Sequence, residues 1–251
     1  MPRFTTLRLK RFIGFSSLFL ISFLGYSQQD SLALVALYDS TNGDGWNNNT
    51  NWKTGPIPTW FGVTYGGGRV TKLELPSNNL TGGSLPPSIG DLTMATTIDL
   101  NNNNLIDQIP VEIGNAIALD TLNLSNSGVN GVLPSEIGNL VNLTYLDLSL
   151  NNLTDSLPNE ITNLSVLINL QLQGNQIDWL PDLSIMSSLS TLDISSNNLE
   201  FDDILPLVGI PSITYSPQGQ IGTQLDTAVV IGDTFTVQRL SPGAGNIYQW
   251  Q

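Results

Sequence analysis

The chain has no cysteine and no histidine among its 251 residues, and its formal net charge is -13. Without cysteine there is no disulfide framework, no thiolate zinc site and no cysteine nucleophile. Without histidine, a Ser-His-Asp triad and a histidine-liganded metal are excluded as well. We therefore expect neither metal nor cofactor, and a core that packing and hydrogen bonds close unaided.

Basic residues are scarce, and half of them lie at the N-terminus. Arg3, Arg8, Lys10 and Arg11 precede an apolar run of 13 residues, 12–24, which is shorter than the roughly 20 needed to span a bilayer. This order is typical of an export signal, and the small residues of "GYSQQ" predict cleavage after Ser27. A retained membrane anchor is the alternative. Loss of residues 1–27 would leave four basic residues against 21 acidic ones, a net charge of -17.

This charge sets expectations about partners and location. A strongly acidic surface repels phosphate backbones and anionic lipids, so we expect no nucleic acid partner and no membrane insertion once the signal is removed. It favours solubility and admits cationic or neutral partners. The sequence thus predicts a monomer that is secreted or held at the cell surface.

A short pattern recurs between residues 69 and 200. Its core reads "LELPSNNL", "IDLNNNNL", "LNLSNSGV", "LDLSLNNL", "LQLQGNQI" and "LDISSNNL", and it begins at Leu73, Ile98, Leu122, Leu146, Leu170 and Leu192. The steps between these positions are 25, 24, 24, 24 and 22 residues. Each Leu-x-Leu predicts a short strand with one face inward. Strands of successive coils would stack in parallel over a core that no single repeat can bury.

Two further columns of residues fit this architecture. An asparagine recurs after each predicted strand, except in the third repeat, where Ser127 replaces it and predicts a locally weaker turn; the asparagines are Asn78, Asn103, Asn151, Asn175 and Asn197. Buried asparagines can bond backbone groups that would otherwise lack partners. A later proline fixes φ where the chain leaves the strand side, and "xEIGNL" predicts a short helical or 3₁₀ turn there. These prolines are Pro86, Pro110, Pro134, Pro158 and Pro181.

A period of 24 with "IP..IG.L..L" resembles the plant-type class of leucine-rich repeat, found in plant receptor ectodomains, polygalacturonase-inhibiting proteins and bacterial surface proteins. The resemblance implies an α/β-type solenoid: a right-handed coil with short parallel strands on its concave face. It also implies a chain of the bacterial secreted or cell-surface kind. We expect about six repeats in residues 69–200 and a C-terminal cap and linker in 201–219.

Residues 28–68 are expected to cap the N-terminal end of the solenoid. Residues 30–40 have helical apolar spacing with Asp30 or Ser31 as N-cap, and Trp46, Trp52 and Trp60 follow. Plant-type relatives have a "W…W.GV" segment with paired cysteines here, and this chain keeps the tryptophans without the cysteines. We predict that the aromatic area closes the open end. A carbohydrate-binding platform of exposed tryptophans is the alternative.

The outward strand positions provide the candidate binding site, because solenoids usually bind with their concave face. That face is polar and mildly acidic, with one aromatic near its centre. The candidate ligand-binding residues are Glu74, Thr97, Asp99, Thr121, Asn123, Tyr145, Asp147, Asn169, Gln171 and Asp193. Asp147 lies two repeats from Asp99 and from Asp193. Paired carboxylates can cleave glycosides, but nothing else in the sequence supports a reaction, and we expect no enzyme.

Residues 220–251 depart from the repeat. Phe235 and Val237 predict a strand with one buried face, and "IYQWQ" resembles the immunoglobulin-like strand that carries the core tryptophan, here Trp250. A sandwich of that type needs about seven strands and ~100 residues. We therefore interpret this segment as an incomplete immunoglobulin-like domain, with the chain a fragment of a longer protein.

Several functions fit these observations. The first is an exported, non-enzymatic recognition or adhesion protein that binds a protein or a polysaccharide through its concave face. The second is the targeting module of a larger secreted enzyme. The third is an inhibitor of a secreted carbohydrate-active enzyme, as some plant-type relatives are. Ice binding is a fourth, suggested by the columns of Asn and Thr.

Overall fold

The computed structural model describes residues 16–204, 207, 210–215, 225–231, 234–241 and 244–249. Its main element is an eight-stranded sheet in the order β1-β2-β3-β4-β6-β8-β10-β11. All neighbours from β2 onward are parallel, whereas β1 is antiparallel to β2. The strands are β1 Val63–Gly66, β2 Arg69–Glu74, β3 Thr97–Asp99, β4 Thr121–Asn123, β6 Tyr145–Asp147, β8 Asn169–Gln171, β10 Thr191–Asp193 and β11 Ser212–Thr214.

The register of this sheet confirms the strands that the repeat predicted. The inward residues of β2, β3 and β4 pair as Leu73, Ile98 and Leu122, and each is fully buried. Leu146, Leu170 and Leu192 continue the column. β11 adds one more parallel strand beyond the last recognised repeat. The leucine columns therefore form one continuous core along the solenoid.

A second, smaller sheet lies beyond the carboxyl ends of the concave strands. It has the order β5-β7-β9 and parallel pairing, with β5 Asn130–Gly131, β7 Asn152–Ser156 and β9 Gln176–Trp179. An isolated bridge between Thr81 and Asn104 continues it toward the N-terminus. The sequence pattern did not predict this sheet.

On the far side of each coil the chain forms a 3₁₀ turn. Four of these turns directly follow a proline in extended conformation, as the sequence predicted: Pro87–Asp91, Val111–Asn115, Ser135–Asn139 and Asn159–Asn163. A shorter turn, Leu183–Ile185, starts at Asp182. Adjacent coils approach closely here, because a Cβ added at Gly138 would overlap the carbonyl oxygen of Glu160.

The asparagine column binds successive coils together. Asn151 donates its Nδ2 to the carbonyls of Leu124 (2.8 Å) and Leu148 (2.9 Å), and its Oδ1 accepts from the backbone N–H of Ser127 at 3.0 Å. Ser127 keeps part of this role by donating its hydroxyl to the carbonyl of Leu100 at 2.7 Å. The amide of Leu105 then bonds the main-chain carbonyl of Ser127 at 2.6 Å. The third turn thus stays closed with a different set of bonds.

The N-terminal end is covered by α1, Ser16–Ser40, and the tryptophan segment. Trp46, Trp52 and Trp60 are at most 5% exposed. The ring centroid of Trp52 lies 4.8 Å from that of Trp46 and 4.9 Å from that of Trp60. All three indole N–H groups donate to backbone carbonyls, namely those of Thr41, Phe61 and Gly55. Buried, satisfied rings favour the capping interpretation over an exposed platform.

The predicted helix start at Asp30 or Ser31 is wrong, since α1 begins at Ser16. The helix therefore includes the predicted cleavage point after Ser27, and cleavage there stays a prediction. Asp30 is fully buried, and its carboxylate accepts from the guanidinium of Arg69 and the amide of Val70. Among the described residues, no helix has the length and apolarity needed to cross a membrane.

Beyond the last recognised repeat, the chain continues with α2, Phe201–Ile204, and the strand β11. Ile204, Leu207, Ile210 and Tyr215 are buried. A separate antiparallel sheet follows, formed by β12 Leu225–Ile231, β13 Thr234–Ser241 and β14 Ala244–Gln249. Phe235 and Val237 lie on β13, whereas Trp250 is outside the described residues. Three strands do not make a sandwich of about seven, so the immunoglobulin-like assignment stays a prediction.

Candidate functional site

The exposed face of the main sheet brings together all ten predicted binding residues. They form two rows that run across the strands in register. One row contains Lys72, Thr97, Thr121, Tyr145, Asn169 and Thr191, and the other contains Glu74, Asp99, Asn123, Asp147, Gln171 and Asp193. All of these side chains are half-buried except that of Glu74, which is exposed. Ligand binding by these residues stays a prediction.

The acidic row is held in fixed orientations by hydrogen bonds within each strand end. Oδ1 of Asp147 accepts from the backbone N–H of Ser149 at 3.0 Å and from its hydroxyl at 2.6 Å. Asp193 makes the same pair of bonds with Ser195, and Asp99 makes an equivalent pair with Asn101. This arrangement immobilises Oδ1 of each of these three carboxylates. A face organised in advance loses little side-chain entropy when it binds.

Tyr145 lies at the centre of this face and is coupled to the acidic row. Its hydroxyl donates to Oδ2 of Asp147 at 3.1 Å. Partial burial raises the pKa of Tyr145 to about 12, and the negative charges of Asp147 and Asp99 act in the same direction. The phenol therefore remains a neutral hydrogen-bond donor over the physiological pH range.

The face carries more negative than positive charge. Glu74, Asp99, Asp147 and Asp193 lie on the outward rows with one cation, Lys72. Neighbouring strands lie about 4.8 Å apart, so Asp99 and Asp147, two strands apart, are separated by roughly 10 Å. Carboxylates at this spacing reinforce each other's potential over the concave space. Within the described ranges, no group of three or more His, Cys, Asp or Glu side chains is arranged to hold a metal ion.

Sequence reasoning missed a second surface, which lies where each 3₁₀ turn passes into the next strand. Five large apolar side chains there are between 42% and 56% exposed, namely Met94, Ile117, Val141, Val166 and Ile168, and Ile185 at the end of the last 3₁₀ turn is 66% exposed. These residues occupy different positions of the repeat, so no single column of the sequence pattern marks them.

Three segments of the solenoid match a known protein family. Residues 95–116, 118–140 and 142–164 match the family model of the Leucine Rich Repeat. These three segments are leucine-rich repeats. The matched segments correspond to three successive coils, and the sheet register extends the same leucine-rich repeat geometry to both sides of them.

Solved structures share this leucine-rich repeat fold. The ectodomain of the receptor kinase SOBIR1 from Arabidopsis thaliana has a TM-score of 0.55 and 24% identity over 76% of this chain and 97% of that one. The ectodomain of the Arabidopsis receptor kinase HAESA has a TM-score of 0.66 and 23% identity over 77% of this chain and 34% of that one, so this chain spans about a third of its length. A plant ice-binding protein has a TM-score of 0.62 and 23% identity over 76% of this chain and 71% of that one. Identities this low show the fold alone.

Proposed function

We propose that the chain is an exported, non-enzymatic recognition or adhesion protein that binds a protein ligand through its concave face. The observation that carries this proposal is the half-buried, hydrogen-bonded pair of Tyr145 and Asp147 at the centre of two ordered polar rows. Partly buried aromatic residues surrounded by ordered polar groups are typical centres of protein-binding surfaces. The net charge makes nucleic acid an unfavourable partner.

Structural neighbours support a protein ligand over a polysaccharide. HAESA was solved in complex with an IDA peptide hormone, and PEPR1 was solved with AtPEP1. BIR3 and SERK2 were solved as a complex of two proteins. Leucine-rich repeat ectodomains of this shape are thus typical protein-recognition modules.

The acidic row narrows the chemistry of the ligand. The available Oδ2 atoms of Asp99 and Asp193 make no hydrogen bond within the described part of the chain, and Tyr145 lies between them. Carboxylates beside an aromatic ring suit a Lys or Arg side chain, since the ring face attracts a cation and carboxylates bind it by charge-assisted hydrogen bonds. We infer that the preferred ligand presents basic residues.

The same geometry argues against the glycosidase reading of the paired carboxylates. Both oxygens of Asp147 already accept hydrogen bonds, from Ser149 and Tyr145. Asp99 and Asp193 each lie two strands from Asp147, which is a distance of ~10 Å. This is at the upper limit of the distance between the two carboxyl groups of an inverting glycosidase. Targeting for a larger enzyme and inhibition of a secreted enzyme are both compatible with a binding face of this kind.

Selection from a displayed library of random peptides on the purified full chain tests the proposal. We expect enriched peptides to be rich in Lys and Arg, and a Tyr145→Ala/Asp147→Ala variant to bind them at least about 10-fold more weakly. A Thr154→Ala/Asp155→Ala variant on β7 is the matched control and should bind normally. Undiminished binding by the first variant, or equal loss in the control, would exclude the concave face. A glycan array on the same protein tests the polysaccharide alternative.

Ice binding is the second candidate. Exposed amide groups stack at the coil spacing, as where Nδ2 of Asn126 donates to Oδ1 of Asn102 at 2.9 Å, and a plant ice-binding protein shares the fold. Four carboxylates interrupt the array on the concave rows. A thermal-hysteresis measurement decides this case, and a clear hysteresis gap would displace the protein-ligand proposal.

A further inference from the structure

The turn after each concave strand from β2 onward contains one residue in the left-handed backbone conformation. These residues have a positive φ and occupy equivalent positions of successive coils: Ser77, Asn102, Asn126, Leu150, Gly174 and Ser196. Glycine and asparagine adopt this conformation readily, whereas the bulk of a leucine makes it strained. In the part of the chain that the structure describes, Leu150, with a φ of 56°, is the only residue with an apolar side chain that has a positive φ.

The side chain of Leu150 is exposed, unlike the leucines of the repeat core. Its exposed fraction is 58%, whereas Leu146 and Leu148 of the same coil are fully buried. Cδ2 of Leu150 lies over Gly174 of the next coil, 2.8 Å from the position of a Cβ added there. The glycine therefore leaves room for the leucine across the next turn. Burial in the core does not offset the backbone strain at this position.

Leu150 also interrupts a row of polar side chains. In the two preceding coils, Nδ2 of Asn126 donates to Oδ1 of Asn102 at 2.9 Å. An asparagine at position 150 would relieve the strain and could continue this row. Backbone strain of this kind persists where the surrounding structure maintains it, and it is concentrated at ligand-binding sites.

The strained leucine lies beside the centre of the concave face. Leu150 is three residues after Asp147, so the two Cα atoms are at most about 10 Å apart. The backbone N–H of Leu150 donates to the carbonyl of Gln173 at 2.7 Å, which fixes this turn to the next coil. Residues 149–152 and 173–176 include no charged side chain. An uncharged turn with an exposed apolar side chain thus adjoins the acidic row.

From these observations we propose that Leu150 is a specificity-determining contact of the concave face and binds an apolar side chain of a peptide ligand. Leu150 then acts in the same site as the proposed function, on which this assignment rests. The carboxylates of Asp99, Asp147 and Asp193 complement basic side chains in charge, and Leu150 adds apolar area at the edge of their row. Apolar contacts surrounded by polar groups are typical of protein interfaces. Side chains on one face of an extended peptide are about 6.8 Å apart, so we expect the apolar residue within three residues of a Lys or Arg.

Replacement of the leucine separates this role from a structural one. Leu150→Asn relieves the strain, and the melting temperature is expected to rise by about 2–4 °C. The same variant should bind peptides selected on the wild-type full chain about 10-fold more weakly, because the apolar contact is lost. A residue that only supports the turn would not combine higher stability with weaker binding. Ile106→Asn is the matched control, since Ile106 is 57% exposed and its carbonyl accepts from Asn130 of the second sheet; the affinity should not change.

The selected peptides provide the second part of the test. Replacement of their apolar residue by Ser should weaken binding to the wild-type chain about 10-fold and have little further effect on Leu150→Asn, because both changes remove the same contact. Basic peptides without an apolar residue, or equal binding by wild type and Leu150→Asn, would overturn the assignment and leave the proposed function standing. Failure to enrich basic peptides would overturn both. A lower melting temperature of Leu150→Asn would also overturn the assignment, because the leucine would then stabilise the turn.

Discussion

The carboxylate of Asp30 binds the guanidinium of Arg69 through two hydrogen bonds, of 2.8 and 2.9 Å, across 39 residues of sequence. The Asp30 side chain is fully buried and that of Arg69 is 12% exposed. Oδ2 of Asp30 also accepts from the amide of Val70 at 2.7 Å. Helix α1 is therefore fixed to the first strand of the parallel stack by a buried ion pair.

Loss of this pair should destabilise the whole N-terminal end. Asp30→Asn leaves Arg69 without its countercharge, and breaking one half of a buried pair costs about 3–5 kcal/mol. We expect the free energy of unfolding in urea to fall by that amount. Asp39→Asn removes the exposed ion pair with Lys53 and should cost no more than about 1 kcal/mol. If the two variants lost similar free energies of unfolding, the buried pair of Asp30 would contribute no more stability than the exposed pair of Asp39.

The asparagine column can be tested at Asn151. Asn151→Ala removes the buried bonds to Leu124, Leu148 and Ser127, and the unsatisfied groups should lower the free energy of unfolding by about 3 kcal/mol. The adjacent Asn152 is exposed, so Asn152→Ala should change it by less than about 0.5 kcal/mol. Chemical denaturation of both variants measures the difference, and a mild effect at Asn151 would contradict the structural role.

The sequence predicted the concave strands, which recur in every repeat, and missed the second sheet and the start of α1. Leu73, Ile98 and their successors identify the parallel strands because burial on one face requires an apolar residue at every coil. The second sheet leaves a fainter mark, because β7 and β9 each bury only one residue of the repeat core, Leu153 and Ile177, and a single apolar residue does not predict a strand. The start of α1 was also misplaced, because Asp30 has the composition of an N-cap but pairs with a residue distant in sequence.

The sequence predicted which residues share the concave face, but it did not predict the hydrogen bonds between their side chains. Alternation places Tyr145 and Asp147 on the same side of a strand. The hydrogen bond between them, however, depends on side-chain rotamers that a pattern does not specify. The immobilisation of Asp147 by Ser149 has a local signal, since Asp-x-Ser commonly forms such a bond.

The titration of Tyr145 gives a test by pH. Its pKa of about 12 in the folded chain lies above the value of 10.0 for an ordinary tyrosine. The protonated phenol is thus favoured by folding, so this contribution to stability is complete below pH 10 and is lost as the pH rises toward 12. The phenolate absorbance of wild type minus that of Tyr145→Phe should rise near pH 12. In Asp147→Asn the pKa should fall but stay above 10, because burial is the largest cause.

The close approach of the 3₁₀ turns is testable at Gly138. In Gly138→Ala the new Cβ would overlap the carbonyl oxygen of Glu160, and relief of that overlap should cost about 1–3 kcal/mol in the free energy of unfolding. Gly66→Ala is the control, since the nearest atom to its Cβ is Cγ2 of Thr71 at 3.6 Å. Calorimetric melting of both variants should show a large shift only for Gly138→Ala.

The aromatic closure of the N-terminal end has a consequence for how the protein folds. Tyr38, Trp46, Trp52 and Trp60 close that end by ring contacts and hydrogen bonds alone. No thiol has to be oxidised, no mispaired bridge has to be reshuffled, and no reducing agent can reopen the cap. The same native structure is therefore accessible in a reducing cytoplasm and in an oxidising medium. An end that opens under stress can close again at the speed of side-chain packing, without the help of a redox enzyme.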